Sequence, residues 1–394
     1  MIIEEKQIVR FEPYFGEWIS MDSHAKIYSI EFEDNFKRDD YPNISFIENK
    51  QQIEGACSVP IVLQILLTRK CTYACKNCQV YNNSVEKELT TSEVFALLEQ
   101  ASANGVLLVR LSGGEATLRP DFVNIVNYAR NLGLRVSLIS NCYSHTEAVR
   151  SIFPTLCYVQ THLDTVNSKT FAQLTGGKDF TQYDKTLHKA LETGVSIHAA
   201  TTLQSENLDE LPNIVKYGTE LGIPMKIHAT YSNGTFSSGT WETYYNNVII
   251  PFKRMWPKLI EIASRKGVEI HSFIERYDIS ESVIEPLTII SPWGHTFIVI
   301  DSQGIVYPNS FLLLPQFKLG SIRNGDDFIK IWRNSLLLKN IRKITKKSLG
   351  CASCRKDCVF VNPFFSYSYY GVFGKVLPHE DCPEGKFKMK NEVY

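Results

Sequence analysis

The sequence predicts an α/β fold: a partial (β/α)6 barrel of the TIM type, with a short β segment before it and a small cysteine-bearing extension after it. Two observations predict this. From Pro60 onward, six short apolar runs alternate with longer stretches of helical periodicity. A βα unit repeated in this way implies parallel strands joined by crossover helices. After about residue 268 the alternation stops and gives way to a hairpin pattern, an amphipathic helix and a cysteine cluster. Six units are too few for a closed eight-stranded barrel, so an open one is expected.

The elements follow in order. Residues 1–58 form an N-terminal β-hairpin segment: "IVRFEPYFGEWISM" and "AKIYSIEFED" read as two strands about the turn Asp22-Ser23-His24, and a polar stretch without clear periodicity follows. Residues 59–267 form the barrel. Its strands are expected at Ile61–Leu67, Leu107–Leu111, Arg135–Ile139, Tyr158–His162, Val195–Thr201 and Met225–Thr230. Between them, Thr91–Ala103 opens with Thr-Ser-Glu, Asp121–Leu132 follows Pro120 and stops at Gly133, and Asp209–Leu221 stops at Gly222. These are helix start and stop signals. The amphipathic stretch Trp241–Lys266 is placed to close the open side. Residues 268–394 form the extension: a hairpin with its turn at Ser302-Gln303-Gly304, a helix over "DDFIKIWRNSLLLKNIRK", the cluster "GCASCRKDC", an aromatic loop and Cys382.

Composition excludes several functions. The 394 residues are 44% hydrophobic and 21% charged, which supplies a sizeable core. Lys plus Arg equals Asp plus Glu, 42 each, so no global field draws the chain to nucleic acid or to an anionic membrane. The basic stretches at Arg342–Lys347 and Lys386–Lys390 read as solvated surface. No apolar run reaches the length of a membrane span, and the N-terminus lacks the pattern of a signal peptide. A cytoplasmic protein is expected, and in that reducing compartment its ten cysteines are ligands, catalysts or buried hydrophobes rather than disulfides.

The first cysteine constellation is "TRKCTYACKNC", which sets Cys71, Cys75 and Cys78 in a C-x3-C-x2-C loop directly after the first strand. In a parallel barrel the loops at the C-terminal ends of the strands form the active face. Zinc usually takes four protein ligands, and this loop has no nearby His or fourth Cys. Three thiolates on a four-iron, four-sulfur cluster leave one iron open, as a catalytic cluster needs. Here the sequence resembles the radical S-adenosylmethionine (SAM) superfamily, whose signature is this loop. The resemblance implies that the open iron is chelated by SAM, and that an electron from the cluster splits SAM into methionine and a 5′-deoxyadenosyl radical. Asn77 stands where the family often has an aromatic residue beside the adenine.

The other strand ends support that reading. "LSGGEAT" gives Gly113 and Gly114, which clear side chains for a ligand, and Glu115, which by resemblance binds the SAM amino group. "LISNCY" gives Ser140 and Asn141, suited to the SAM ribose or carboxylate, and "THLDT" gives His162 and Asp164, candidates to face cofactor or substrate. His198, Thr201, Thr202, His228 and Tyr231 lie on or after the fifth and sixth strands and are not ranked by sequence. Cys57, Cys142 and Cys157 have no partner at ligand spacing and read as buried hydrophobes. Cys142, at the active face, is also the candidate catalytic residue, a hydrogen-atom donor to a substrate radical.

The second constellation is Cys351, Cys354 and Cys358, with Cys382 after the aromatic loop. Four thiolates ligate either a cubane cluster or zinc, and composition alone leaves the two open. The region resembles the SPASM/twitch extension of radical SAM enzymes, which implies an auxiliary cluster and makes the extension an iron–sulfur one. A full SPASM domain holds two auxiliary clusters. This chain has Asn309 and Asn362 where ligands of one of them are expected, so the resemblance implies a single auxiliary cluster and two 4Fe-4S clusters in all. The N-terminal segment is similar to the hairpin that precedes the barrel in some enzymes that modify ribosomal peptides.

Three functions follow as expectations. The first is a maturase of a ribosomally synthesised peptide, served by an electron donor such as flavodoxin or ferredoxin and by a separate peptide-recognition protein. The second is the same radical start on a small metabolite, in a dehydrogenase or epimerase. The third is a structural or electron-carrying iron–sulfur or zinc protein.

Overall fold

A computed structural model describes residues 6–33, 36–49, 51–75, 78, 80, 87–229, 241–272, 294–310, 313–324 and 327–343. Cys351, Cys354, Cys358, Cys382, Asn77 and Tyr231, singled out above, lie outside the described residues.

The N-terminal segment is a four-stranded sheet rather than one hairpin. Its strands are β1 (Gln7–Glu12), β2 (Glu17–Met21), β3 (Ile27–Ile30) and β4 (Ile44–Glu48), in the order β3-β2-β1-β4. The first apolar run splits because Gly16 takes a positive φ of 73° and closes a tight turn after Glu12. The second turn stands where expected, with the Asp22 carboxylate accepting the N–H groups of His24 and Lys26. β4 pairs in parallel with β1 and comes from the stretch that showed no periodicity. Its residues are mostly half-buried, so no alternation was there to read.

A buried ion pair seats this sheet on the barrel. Arg10 pairs with Glu12 at 3.0 Å and donates to the carbonyls of Gly105 at 2.8 Å and Pro60 at 3.2 Å. Glu12 in turn accepts the N–H and Oγ–H of Ser58. Gly105 and Pro60 precede barrel strands, so the sheet sits at the N-terminal ends of those strands.

The second sheet has ten strands in the order β11-β10-β9-β8-β7-β6-β5-β12-β13-β14. Its centre is the expected run of six parallel strands: β5 (Val62–Leu66), β6 (Leu108–Ser112), β7 (Arg135–Ile139), β8 (Val159–His162), β9 (Ile197–Leu203) and β10 (Met225–Ala229). The crossovers are α1 (Thr91–Asn104), α2 (Phe122–Asn131), α3 (Glu147–Ser151), α4 (Ser168–Thr175) with α5 (Phe180–Leu191), and α6 (Leu211–Glu220). Sequence placed the ends of α1, α2 and α6 to within two residues. Thr90 and Glu93 form a reciprocal capping box on α1, which ends at Gly105 with φ 85°.

Both edges of the barrel are extended. The stretch expected to close the open side is instead the next crossover: α7 (Trp241–Tyr244), a π turn, then α8 (Ile250–Ser264), which leads into β11 (Ile270–Ser272) parallel to β10. On the other edge the expected hairpin forms as β12 (Phe297–Ile300) and β13 (Ile305–Tyr307), and β12 joins β5 in parallel, with β14 (Gly320–Ser321) beyond. The last predicted helix is two, α9 (Phe328–Asn334) and α10 (Leu336–Arg342). Ser335 leaves helical geometry at ψ 123° and caps the second by accepting from the Leu338 N–H. Trp332 of α9 is fully buried and donates its indole N–H to the Cys57 carbonyl at 2.9 Å, which ties this region to the start of the barrel.

Candidate active site

The C-terminal ends of the barrel strands enclose a cavity of about 330 Å³. Cys71, Cys75 and Cys78 all line it, with Gly113, Gly114, Ser140, Asn141, His162, Asp164, Thr202 and His228. One loop, which sequence set after the first strand, and the ends of five further strands therefore meet at one place.

The cysteine loop is braced from several sides. Gly114 and Glu115 donate their N–H groups to the carbonyls of Thr68 and Lys70, both at 2.7 Å. A Cβ on Gly113 would stand 2.4 Å from the Thr68 carbonyl oxygen, and one on Gly114 would stand 2.4 Å from that of Lys70. The glycine pair therefore lets the cysteine loop pack against the end of β6. That is a nearer reason for glycine than the clearance for a ligand that sequence suggested. Glu88 accepts from Thr68 Oγ1 at 2.9 Å and from the Arg69 N–H at 2.7 Å. Arg119 donates to the carbonyls of Leu67 at 3.0 Å and Leu89 at 2.9 Å while its other side pairs with Asp121. The Ala74 N–H reaches the Thr175 carbonyl at the end of α4.

The thiols sit among donors. Cys71 Sγ accepts from the Tyr73 N–H at 3.4 Å and from Asn141 Nδ2 at 3.5 Å. Burial pushes the Cys71 and Cys75 thiols above their ordinary range, so in the metal-free protein they are neutral, and a metal must displace their protons on binding. The six described cysteines form no disulfide. Among the described residues, no set of three His, Cys, Asp or Glu side chains is gathered for a single metal ion. The three thiols line a cavity wide enough for something larger. Residues and cavity fit a cluster held at one corner each by Cys71, Cys75 and Cys78.

Glu115 is 1% exposed and stands beside the cavity wall rather than on it. Its carboxylate accepts from the Asn141 N–H at 2.7 Å, from Thr117 Oγ1 at 2.7 Å and from Ser140 Oγ at 3.0 Å. It thus fastens the end of β7, whose Ser140 and Asn141 do line the cavity. Burial raises its pKa despite these bonds, and no cation among the described residues pairs with it. A buried carboxylate without a counter-ion suits an ammonium group. Asp164, also raised by burial, accepts the Thr202 N–H at 2.6 Å. Asn207 donates to the Asp164 and Thr202 carbonyls and holds those two strand ends together.

One candidate lies away from the cavity. Cys142 is fully buried, is absent from the cavity lining and takes a positive φ of 50° that turns it into the core. Its thiol faces Thr161, and burial pushes it up to about 12. The placement is that of a buried hydrophobe and gives a hydrogen-donor role no support. His198 and Thr201 also lie off the cavity, whereas Thr202 and His228 line it. Sequence reasoning missed Gln64 and Gln160, which line the cavity from within β5 and β8. A polar residue inside an otherwise apolar strand was the available signal. Glu88, Arg119 and Asn207 left none, since each also bonds a backbone group that only the fold brings to it.

Fold and site define a class: an open parallel-barrel enzyme with a cofactor site at the C-terminal ends of its strands and three thiols in the first loop. The model of the radical SAM superfamily matches residues 65–218. Mycofactocin maturase MftC of Mycolicibacterium smegmatis is 23% identical over 349 residues, which cover 85% of this chain and 86% of the relative. PqqA peptide cyclase of Bradyrhizobium diazoefficiens is 24% identical over 322 residues, covering 78% and 82%. Among solved structures, Streptococcus suis SuiB bound to S-adenosylmethionine shares the fold with a TM-score of 0.62 at 16% identity, covering 86% of this chain and 76% of that one. Residues 65–218 thus match the radical SAM superfamily, the chain is similar over most of its length to a peptide maturase and a peptide cyclase, and it is an enzyme. Among the described residues no helix is long and apolar enough to cross a membrane.

Proposed function

We propose that this enzyme is a maturase of a ribosomally synthesised peptide. Cys71, Cys75 and Cys78 hold a 4Fe-4S cluster, and Gly113, Gly114, Glu115, Ser140, Asn141 and Asp164 surround SAM. When bound, that pair supplies a 5′-deoxyadenosyl radical able to take a hydrogen atom from an unactivated carbon of the substrate. The observation that carries the reading is the convergence of three thiols, the glycine pair and the β7 end on one cavity. The peptide is supported by the relatives, which are named a maturase and a peptide cyclase, and by a structure of SuiB bound to its precursor peptide SuiA. The protein's own residues brace the cysteine loop, place a carboxylate beside the SAM site and leave the lumen below open for substrate.

We further assign a second, auxiliary cluster to Cys351, Cys354, Cys358 and Cys382 in a SPASM/twitch-like extension, on the resemblance of their spacing to that extension. The electron donor is of the flavodoxin or ferredoxin class, and the compartment is the cytoplasm. Anaerobically reconstituted protein should then carry about eight irons per chain and form 5′-deoxyadenosine with a reductant. Replacing Cys71, Cys75 and Cys78 together by Ala should remove about four of those irons and all deoxyadenosine. Deoxyadenosine formation that survives the triple change overturns the radical assignment. Four irons with one zinc in the wild type would make the C-terminal site a zinc knuckle.

A further inference from the structure

The cysteine loop has two legs, and both are gripped by residues far along the chain. The chain enters the loop through Thr68–Lys70 and returns through Lys87–Leu89. Glu88 joins the legs to each other, accepting from Thr68 Oγ1 at 2.9 Å and from the Arg69 N–H at 2.7 Å. The β12–β13 hairpin and the residues just after β14 hold the pair from outside. On the entry leg, Arg69 Nη2 lies 3.5 Å from Asp301 Oδ2 and 3.5 Å from Gln303 Oε1, both in the hairpin turn. On the return leg, the Leu89 N–H donates to the Ser302 carbonyl at 2.7 Å. Arg323 donates to the carbonyls of Lys87 at 2.9 Å and Glu88 at 2.8 Å.

The gripping groups are themselves fixed. Asp301 is 2% exposed, and its other oxygen accepts the N–H groups of Gln303 and Ile305, both at 2.9 Å. Arg323 Nε reaches Glu93 at 3.2 Å, the residue that closes the capping box of α1. Gly304 takes φ 81°, and a Cβ there would stand 2.9 Å from Ile322 Cγ1 and 3.3 Å from Leu89 Cδ2. Glycine thus lets the turn lie against the return leg and against the segment that carries Arg323. The same hairpin runs on to Ser310, which lines the cavity. The layer beneath the cavity, the floor of the lumen, is tied differently. There Arg110 Nη2 donates to Tyr158 Oη at 2.6 Å, and the Tyr158 ring stacks on His198 with centroids 5.0 Å apart.

Fixing both legs limits how far the three thiols can part, and outer partners of metal ligands act in this way. We propose that Asp301 and Arg323 are positioning residues for the catalytic cluster: the hairpin region of the extension clamps both legs of the cysteine loop and so sets where Cys71, Cys75 and Cys78 meet the iron. The proposal rests on the reading that these cysteines hold a cluster. It makes the extension part of the catalytic centre rather than an appendage with a cluster of its own.

Two samples of the full-length protein test it. In the metal-free sample, alkylation of each cysteine by iodoacetamide is followed by peptide mass spectrometry. Asp301→Asn keeps an oxygen for the two N–H groups and removes the charge that faces Arg69. This variant and Arg323→Gln should each raise the rate at Cys71, Cys75 and Cys78 by about five-fold, the scale of one lost hydrogen bond. Buried Cys57, Cys142 and Cys157 are internal controls and should not change. In the anaerobically reconstituted sample, the electron paramagnetic resonance signal that responds to added SAM belongs to the cluster with the open iron. Both variants should broaden that signal and shift its midpoint potential, and Arg323→Lys, with a single donor group, should restore part of each. Unchanged alkylation in both variants overturns the proposal, and so does a SAM-dependent signal that neither variant alters. An equal rise at the three controls also overturns it, because the clamp would then serve stability alone. A wild type without a SAM-dependent signal counts against the cluster reading, and alkylation of the metal-free protein then judges the clamp by itself.

Discussion

The rim of the barrel and its floor treat polar groups in opposite ways. At the rim the charged groups that brace the cysteine loop are tied to other parts of the protein: Glu115 to Asn141, Thr117 and Ser140, Glu88 to Thr68 and Arg69, Arg119 to two carbonyls and Asp121. At the floor Arg110 leaves its buried Nε unbonded and pairs with no carboxylate among the described residues. The rim spends its hydrogen bonds on holding a loop still, which a site built for one cofactor geometry requires. The floor leaves one buried donor unfilled, the Nε–H of Arg110. Rim and floor thus differ in how fully their buried donors are bonded within the protein.

The sharpest way to break the contrast is to loosen the rim. A Cβ on Gly114 meets the Lys70 carbonyl oxygen at 2.4 Å and that of Arg69 at 2.6 Å, both backbone atoms that cannot yield cheaply. Gly114→Ala should therefore push the cysteine loop off the end of β6. We expect iron in the catalytic cluster and deoxyadenosine formation to be lost together, while melting of the barrel changes less. Full iron and activity in that variant would show that the loop is not braced by the glycine pair.

A smaller effect is expected from Glu115→Ala. A charge-assisted hydrogen bond contributes about 1.5–3 kcal/mol, so SAM affinity should fall by about ten- to a hundred-fold with iron content unchanged. Because burial raises the Glu115 pKa, wild-type affinity for SAM should decline as pH falls, starting above the ordinary glutamate range, and the variant should lack that decline. Equilibrium SAM titration across pH reads both. Unaltered affinity would mean that Glu115 serves only to fasten Ser140 and Asn141.

The rim was largely legible in the sequence because its chemistry is local. Cys71, Cys75 and Cys78 lie within eight residues, and Gly113, Gly114 and Glu115 are consecutive. The alternation of strands and helices fixed which strand end each would reach. The floor was not legible, because Arg110, His198 and Lys226 come from three different strands, Tyr158 stands directly before a fourth, and they meet only in the folded sheet. The same reason hid Asn207 and Arg119, whose partners are backbone carbonyls. Cys142 misled for the opposite reason: position at a strand end suggested the cavity, and one residue with φ 50° turned the side chain away.

The smallest expected effect separates a histidine at the rim from one elsewhere. His145 Nε2 lies 2.8 Å from Ser140 Oγ, and His295 bonds the Gly55 carbonyl beside Arg342. Burial lowers both from 6.5 to about 4. A histidine held neutral in the fold contributes stability that is complete above its unfolded pKa of 6.5 and is lost as pH falls towards 4, since the unfolded chain takes up the proton first. At about 1.4 kcal/mol per unit, each can contribute up to about 3 kcal/mol to the acid slope. Denaturant unfolding from neutrality down to about pH 5 should therefore show a slope that His145→Gln and His295→Gln each flatten by a similar amount. Only His145→Gln should also weaken SAM binding, by a few-fold. Ser140 accepts from the Cys142 N–H and donates to Glu115, so a donor at His145 Nε2 fills its remaining lone pair and keeps its hydroxyl on the carboxylate. Equal SAM affinity in the two variants would show that the hydrogen-bonded chain from His145 to Glu115 does not reach the cofactor site.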